Sequence, residues 1–452
     1  MSGFFEHFKT FAQGGVHPPD EKLSAAVATS SVPLPRMISI PISQHIGKPA
    51  KPVVERGDMV KVGQVIATIE GYVSANIHAS ASGKVGKIDE VIDSSGYRRT
   101  AINIRVKGDD WLETIDRTPD VIKECKLSSE EIISKVIEAG IVGQGGAAFP
   151  AHVKLKVPED KKVDHLIVNG VECEPYLTAD HRLMLEHAEE ILVGTSILMK
   201  ALKVSKAIIG IEANKEDAIK LLRQEAITYP GIRIVALEVK YPQGGEKQLI
   251  KALLNREVPP GGLPADVGAV VQNVGTVFSV YQAVQKNKPL IERIVTVTGK
   301  SLKQPSNFWV RIGTPVSTLI DTAGGLPPDT GKVVSGGPMM GKALNSLEVP
   351  IAKATSGILL IPNYEAKREK VYSCLRCGKC VEACPMGIEP FYVMLLSKKG
   401  DLKAAEEAHV MDCIECGSCS FECPSNRPVL DYMRLGKTLI KNDKAKTADK
   451  QN

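Results

Sequence analysis

Two lines of cysteine constrain this chain more than any other feature. CLRCGKCVEACPMG and CIECGSCSFECPSN each read C-x-x-C-x-x-C-x-x-x-C-P, placing Cys374, Cys377, Cys380 and Cys384 in one copy and Cys413, Cys416, Cys419 and Cys423 in the other. This is the ligand run of [4Fe–4S] clusters in two-cluster proteins, where the fourth cysteine of each line serves the other cluster. Three thiolates at steps of three curl around one face of a cubane, and the fourth leaves along the departing chain. The expected ligand sets are therefore Cys374, Cys377, Cys380 and Cys423 for one cluster, and Cys413, Cys416, Cys419 and Cys384 for the other. Zinc would draw its four thiolates from two C-x-x-C knuckles and leave the third cysteine of each copy without a role. Between the copies, Phe391, Met394 and Leu395 of PFYVMLLSKKGDLKAAEEAHV fall at helical spacing. An α-helical ferredoxin-like fold is expected rather than a βαβ one.

Eight of the ten cysteines lie in these lines, as ligands rather than a disulfide framework, which suits a reducing compartment. Cys125 reads as a small buried hydrophobe, Cys173 as local packing, and Trp111 and Trp309 as core or interface residues. The nine histidines show no metal-ligand spacing. A formal charge of +5 over 452 residues, with no basic run interleaved with aromatics, does not suggest nucleic-acid binding. No stretch approaches the ~18 uninterrupted apolar residues of a membrane span, and MSGFFEHFKTFAQGG lacks the layout of a signal peptide. A cytoplasmic protein without its own transmembrane segment is expected.

The length exceeds what one core sustains and implies several domains. Residues 1–35, Gly/Pro-rich around GGVHPPDEKL, form a wrapping segment. Residues 36–110 alternate short apolar runs with turns, as β-structure does. Within them, VERGDMVKVGQVIATIEGYVSANIHASASGKV resembles the biotinyl/lipoyl barrel-sandwich fold, but Val73 occupies the carrier-lysine position. A scaffold is implied, not a swinging arm. Across residues 125–288, the helical SSEEIISKVIEAG and MLEHAEEILVGTSILMKAL alternate with the strand-like VDHLIVNG, KAIIGIE, GIRIVALEV and DVGAVVQNVG, giving an open, mainly parallel α/β domain. Residues 289–363 read as a small β-grasp module, 364–440 as the two-cluster domain, and 441–452 as a disordered polar tail.

In the α/β domain GIVGQGGAAFPAHVKL places Gly143, Gly145 and Gly146 after a helix, so the Rossmann fingerprint is not met. NGVECEPYLTADHR, YPQGGEKQL and VVQNVGTVF supply polar and glycine-rich loops at strand ends, where open α/β sheets bind ligands. In sequence and order these motifs resemble the NADH-oxidising, flavin-binding subunit of respiratory complex I. With GGVHPP, VSGGPMMG and the paired cysteine lines, the stretch from Gly14 to Leu435 resembles the C subunits of Rnf electron-transport complexes more closely. The resemblance implies a multidomain α/β and β protein: a barrel-sandwich hybrid, a complex-I-like FMN/NADH-binding domain, a soluble-ligand-binding β-grasp (SLBB) domain and a two-cluster helical domain. It also implies FMN held by Gly143, Gly145, Lys154, Asn169, Glu172, Tyr241, Glu246 and Asn273, with Phe149 and Glu174 nearer the nicotinamide of NAD(H). No side chain is implied as a catalytic acid or base. Val171, Gly245 and Gln144 depart from the complex I pattern, which has Asp, Glu and Arg there, and complex I has one cluster where this chain has two.

Flavin accepts hydride and releases single electrons, which matches a two-electron donor to one-electron clusters. The implied protein is a peripheral subunit on the cytoplasmic side of the membrane, in a ferredoxin:NAD oxidoreductase coupled to ion translocation. Its partners would include a subunit accepting electrons from ferredoxin. Cobalamin reductases of bacterial microcompartments share the flavin loop, β-grasp and cluster motifs, but GGVHPP and the basic tail favour Rnf. A flavin-free relay is opposed by the joint presence of the glycine loop, Asn169, Glu172 and Asn273.

Overall fold

The computed structural model describes residues 8–449. In the N-terminal third, Met37–Pro41, Arg98–Val106, Gly83–Ile92 and Met59–Val60 form one antiparallel sheet, and Lys51–Pro52, Val65–Thr68 and Ile77–His78 form another. Inward-pointing Ile38, Ile40, Ile102 and Ile104 are fully buried, as the two-residue period of a pleated strand requires. Val73 sits in the turn before the last short strand, and its carbonyl accepts from the Lys48 amide at 3.0 Å.

The α/β domain carries four parallel strands in the order Ile232–Leu237, Ala207–Glu212, His165–Asn169, Ala269–Asn273. In chain order this is 3-2-1-4, so the winding reverses between the first and fourth strands, where Asn169 and Asn273 lie in register. The first helix, Ser129–Glu138, starts at a capping box of Ser128 and Glu131. On one face of the sheet Ala188–Leu202 and Val274–Gln285 cross closely, because a side chain at Gly194 would come within 2.5 Å of the Val277 carbonyl. On the other face Glu246–Leu254 covers Ile167, Val171 and Ile208. The barrel-sandwich and α/β regions share one continuous apolar core running from Ile38 to Ile312, so the scaffold rigidly supports the strands that carry the candidate site.

The β-grasp module has its own core around Val295, Phe308, Leu319 and Ile358, on a sheet that includes Glu292–Thr298, Ser306–Arg311, Thr330–Ser335 and Gly357–Pro362. The segment beginning at Phe8 ties the parts together. Lys9 bridges to Leu237, Val16 bridges to Tyr241, and Ser30–Ser31 adds a parallel edge strand to Ser306–Arg311. Residues 1–7 of the expected wrapping segment lie outside the described residues.

The C-terminal part is helical among the described residues, with Lys379–Glu382, Pro390–Lys399, Leu402–Glu407, Ser418–Phe421 and Val429–Asp449 around an apolar core of Val393, Met394, Val410 and Met433. The disordered tail expected from residue 441 is corrected: the last helix continues to Asp449, and only residues 450–452 lie outside the described range. Lys, Asp and Ala extend a helix already nucleated by packing, at little cost per residue, and Lys444 pairs with Glu406 of the preceding helix. No helix among the described residues is long and apolar enough to cross a membrane.

Candidate functional site

The glycine loop closes on itself where Val142 pairs with Pro150 and the Gly143 amide donates to the Phe149 carbonyl at 2.9 Å. Its tip, Gly145 to Ala147, is exposed, while Gln144 is buried. Gln144 anchors the loop to the helix Val274–Gln285: its amide donates to Thr276 Oγ1 at 3.0 Å, and its Nε2 donates to the Gly275 carbonyl at 2.9 Å and to Ser279 Oγ at 2.6 Å. The residue standing for the complex I arginine therefore points inward. A side chain at Gly145 would come within 3.1 Å of Asn273 Cβ, so Asn273 would have to give by a few tenths of an ångström.

Asn273 ends the fourth strand and caps that helix, its Oδ1 accepting from the Gly275 amide at 2.9 Å. Asn169 ends the first strand beside it, donating from Nδ2 to the Gly244 carbonyl at 2.8 Å and accepting from the Val171 amide at 3.2 Å. Lys154 Nζ lies 2.6 Å from Glu246 Oε1 and donates to the Val271 carbonyl at 3.2 Å; both side chains are partly exposed. Four loops thus converge at the switch point on a bare-backbone tip, a helix N-terminus, a lysine and two asparagines. This set fits a phosphate-bearing flavin.

Glu172 has a left-handed φ of 47° and turns its carboxylate onto the amides of Asp180 and His181, at 2.8 and 3.1 Å. It shapes the loop by capping the helix Ala179–Glu186. Asp180, in the quoted loop but absent from the expected site residues, accepts from Asn273 Nδ2 at 2.7 Å. Burial, reinforced by the nearby Glu172 carboxylate, pushes its acid up to about 7. An acid whose folded pKa is raised binds more protons when folded, so stability falls as pH rises from its unfolded value near 4 towards 7. Asp180→Asn should therefore raise the melting temperature of the FMN-free protein at pH 8 and leave it nearly unchanged at pH 4, as differential scanning fluorimetry would read.

Lys22 was also missed, because nothing in PPDEKL marks it. Its ammonium group donates to the carbonyls of Glu172, Glu174 and Leu177 at 2.9, 3.0 and 2.7 Å. Burial, then the charge of Lys215, lowers its pKa to about 8. Three carbonyls of a loop holding Glu172 and Tyr176 at positive φ thus converge on one donor. Lys22→Met should weaken FMN binding about tenfold in a fluorescence titration, a cost of about 1.4 kcal/mol in loop order.

Two expected ligand residues make their polar contacts with segments far along the chain. Glu174 Oε1 accepts from the Met339 and Met340 amides, both at 2.9 Å, and its Oε2 is buried. Tyr241 is 2% exposed and donates its hydroxyl to the Cys416 carbonyl at 2.7 Å. Both side chains thus link the flavin-type loops to the β-grasp turn and the second cysteine line. Cys173 packs beside Tyr241 and Cys416, and burial pushes its thiol well above the ordinary range.

The two cysteine lines fold alike. Arg376 and Glu415 take φ of 53° and 57° at matching positions, followed by Gly378 and Gly417 at 80° and 85°. These left-handed pairs curl each line, as the 3.3 Å approach of the Glu415 amide to Cys413 Sγ shows. Cys413, Cys416 and Cys419 line one apolar cavity with Cys384 of the other copy. Cys380 lies near Cys423 and Cys374, and the Tyr372 amide donates to the Ser425 carbonyl at 3.0 Å, tying the first line's start to the second line's end. The first group is open, with Cys374 and Cys377 exposed; the second is largely buried. Burial pushes the Cys413 thiol up to about 11 and Cys419 higher still. Four thiols around one apolar cavity are the donor set that a [4Fe–4S] cluster takes.

Residues 9–109 match the RnfC barrel sandwich hybrid domain, 136–282 the Nuo51 FMN-binding domain, 294–343 the SLBB domain and 366–424 the 4Fe-4S dicluster domain. The chain is 49% identical to the C subunit of the proton-translocating ferredoxin:NAD(+) oxidoreductase complex of Clostridium ljungdahlii, over 93% of this chain and 92% of that one. It is 43% identical to the C subunit of the Na(+)-translocating ferredoxin:NAD(+) oxidoreductase complex of Acetobacterium woodii, over 95% and 96%. Identity to the C subunit of the ion-translocating oxidoreductase complex of Rhodobacter capsulatus is 41%, over 97% and 85%. With its flavin-type loops, β-grasp module and paired cysteine lines in the same order, the chain belongs to the family of C subunits of ion-translocating ferredoxin:NAD(+) oxidoreductase complexes.

Proposed function

We propose that this chain is the peripheral, cytoplasmic-side subunit that exchanges electrons between NADH and two [4Fe–4S] clusters through FMN, within a membrane-bound ferredoxin:NAD oxidoreductase coupled to ion translocation. Membrane-embedded subunits and a ferredoxin-accepting iron–sulfur subunit are its partners. FMN supplies the conversion between hydride and single-electron transfer. Gly143 and Gly145 let it approach the backbone, and Lys154 and the N-terminus capped by Asn273 offset its phosphate charge. Asn169, Glu172 and Glu246 hold the surrounding loops in place, and Phe149 lies on the nucleotide side. Cys384, Cys413, Cys416 and Cys419 hold the inner cluster; Cys374, Cys377, Cys380 and Cys423 hold the outer one, where a partner can reach it.

The observation that carries this reading is the 2.7 Å bond from Tyr241, which follows the third strand, to the carbonyl of Cys416. It joins the flavin-type loops directly to the buried cysteine group. The test is anaerobic, iron-reconstituted protein supplied with FMN. Adding NADH should bleach both the flavin and cluster bands, with about eight iron per chain as two cubanes require. Clusters that form but never bleach would overturn the reading.

A further inference from the structure

VSGGPMMG, the glycine-rich turn of the β-grasp module, has no part in the chemistry above, yet it touches both halves of it. On one side Glu174 of the acidic loop accepts from the Met339 and Met340 amides, at 2.9 Å each. The fit leaves no slack, since a side chain at Gly337 would come within 2.1 Å of Glu174 Cγ. On the other side a side chain at Gly417, between Cys416 and Cys419, would come within 2.8 Å of the Met339 carbonyl. Arg434 of the last helix donates to the Met340 carbonyl at 3.2 Å. The Met339 side chain packs with Tyr241 and Cys416.

We infer that this turn is the spacer that fixes the buried cysteine group relative to the flavin-type loop, with Glu174 as its positioning residue. The inference rests on the electron-transfer reading and deepens it. One carboxylate receiving two adjacent amides makes a strong, directional joint, and removing it takes the acceptor from the part-buried Met339 amide and frees the exposed Met340 amide to water. Met339 and Gly417 would then shift together, moving the cluster loop while the loops at the switch point keep their own hydrogen bonds.

Glu174→Ala and Gly337→Ala attack the joint from opposite sides, and Glu174→Gln keeps an oxygen for both amides. In FMN-loaded, reconstituted protein mixed rapidly with NADH, the first two should bleach at flavin wavelengths at the wild-type rate. Cluster bleaching should slow about ten- to a hundredfold, the scale on which ångström misplacement acts. Glu174→Gln should restore most of the cluster rate. In the FMN-free chain, hydrogen exchange at the Met339 and Met340 amides should accelerate in Glu174→Ala and not in Glu174→Gln. Slowed flavin bleaching with clusters following promptly would place Glu174 at the nucleotide and overturn the inference, as would wild-type cluster bleaching in both disruptive variants. If wild-type protein itself does not bleach with NADH, the electron-transfer reading fails, and the amide exchange still reports whether the joint exists.

Discussion

Cys384→Ala combined with Cys416→Ala should leave a chain with about four iron, whereas Cys384→Ala combined with Cys377→Ala should leave none. The asymmetry follows from which thiols face each other. Cys384 shares its cavity with Cys413, Cys416 and Cys419, although the sequence places it on the line of Cys374, Cys377 and Cys380. Removing Cys384 and Cys416 therefore takes two ligands from one cluster and spares the other. Removing Cys384 and Cys377 takes one ligand from each. If every line closed its own cube, the two results would exchange, and one iron determination on the two double variants decides between the schemes. The spared cluster in the first variant is the exposed one, so NADH-driven bleaching at flavin wavelengths should persist while transfer to an external one-electron acceptor falls below detection.

Much of this architecture was legible because it is local. The cysteine lines carry their spacing with them, and the matching left-handed residues Arg376 and Glu415 are the backbone form of that repeat. Asn169 and Asn273 were legible because each ends an apolar, β-branched strand, and a parallel sheet brings such ends together. What escaped the sequence depends on segments that meet only in the folded chain. Lys22 reaches carbonyls at Glu172, Glu174 and Leu177, and no period or motif relates such positions. Glu174 and Tyr241 sit in motifs shared with a flavin site, but Met339, Met340 and Cys416 capture their polar atoms. Asp180 was visible in TADHR as a residue, yet its near-neutral acid arises from burial and from Glu172, which composition cannot reveal. The polar end of the last helix misled for the opposite reason, since a composition typical of disorder simply extends a helix packed upstream.

Asn169→Ala with Glu172→Ala should abolish NADH-driven bleaching while leaving the cluster absorbance intact. Asn169 holds the Gly244 carbonyl and the Val171 amide, and Glu172 holds the Asp180 and His181 amides. The double variant frees the Val171, Asp180 and His181 amides of a loop whose Glu172 and Tyr176 already adopt positive φ, and the Gly244 carbonyl of the neighbouring loop. Each buried group left unpaired costs about 1–3 kcal/mol, so the loss is several kcal/mol, concentrated where the loops converge. Even about 3 kcal/mol of that expressed in binding would raise the FMN dissociation constant roughly a hundredfold. The cluster domain packs around its own core of Val393, Met394, Val410 and Met433, so its thiol cavities should still take up iron. A variant that retains wild-type bleaching by NADH would show that these loops do not hold the flavin, and the switch point would need another ligand. A variant that loses the cluster band together with the flavin would show instead that the cysteine group depends on the flavin-type loops for its fold, and that the Tyr241–Cys416 hydrogen bond is a folding contact.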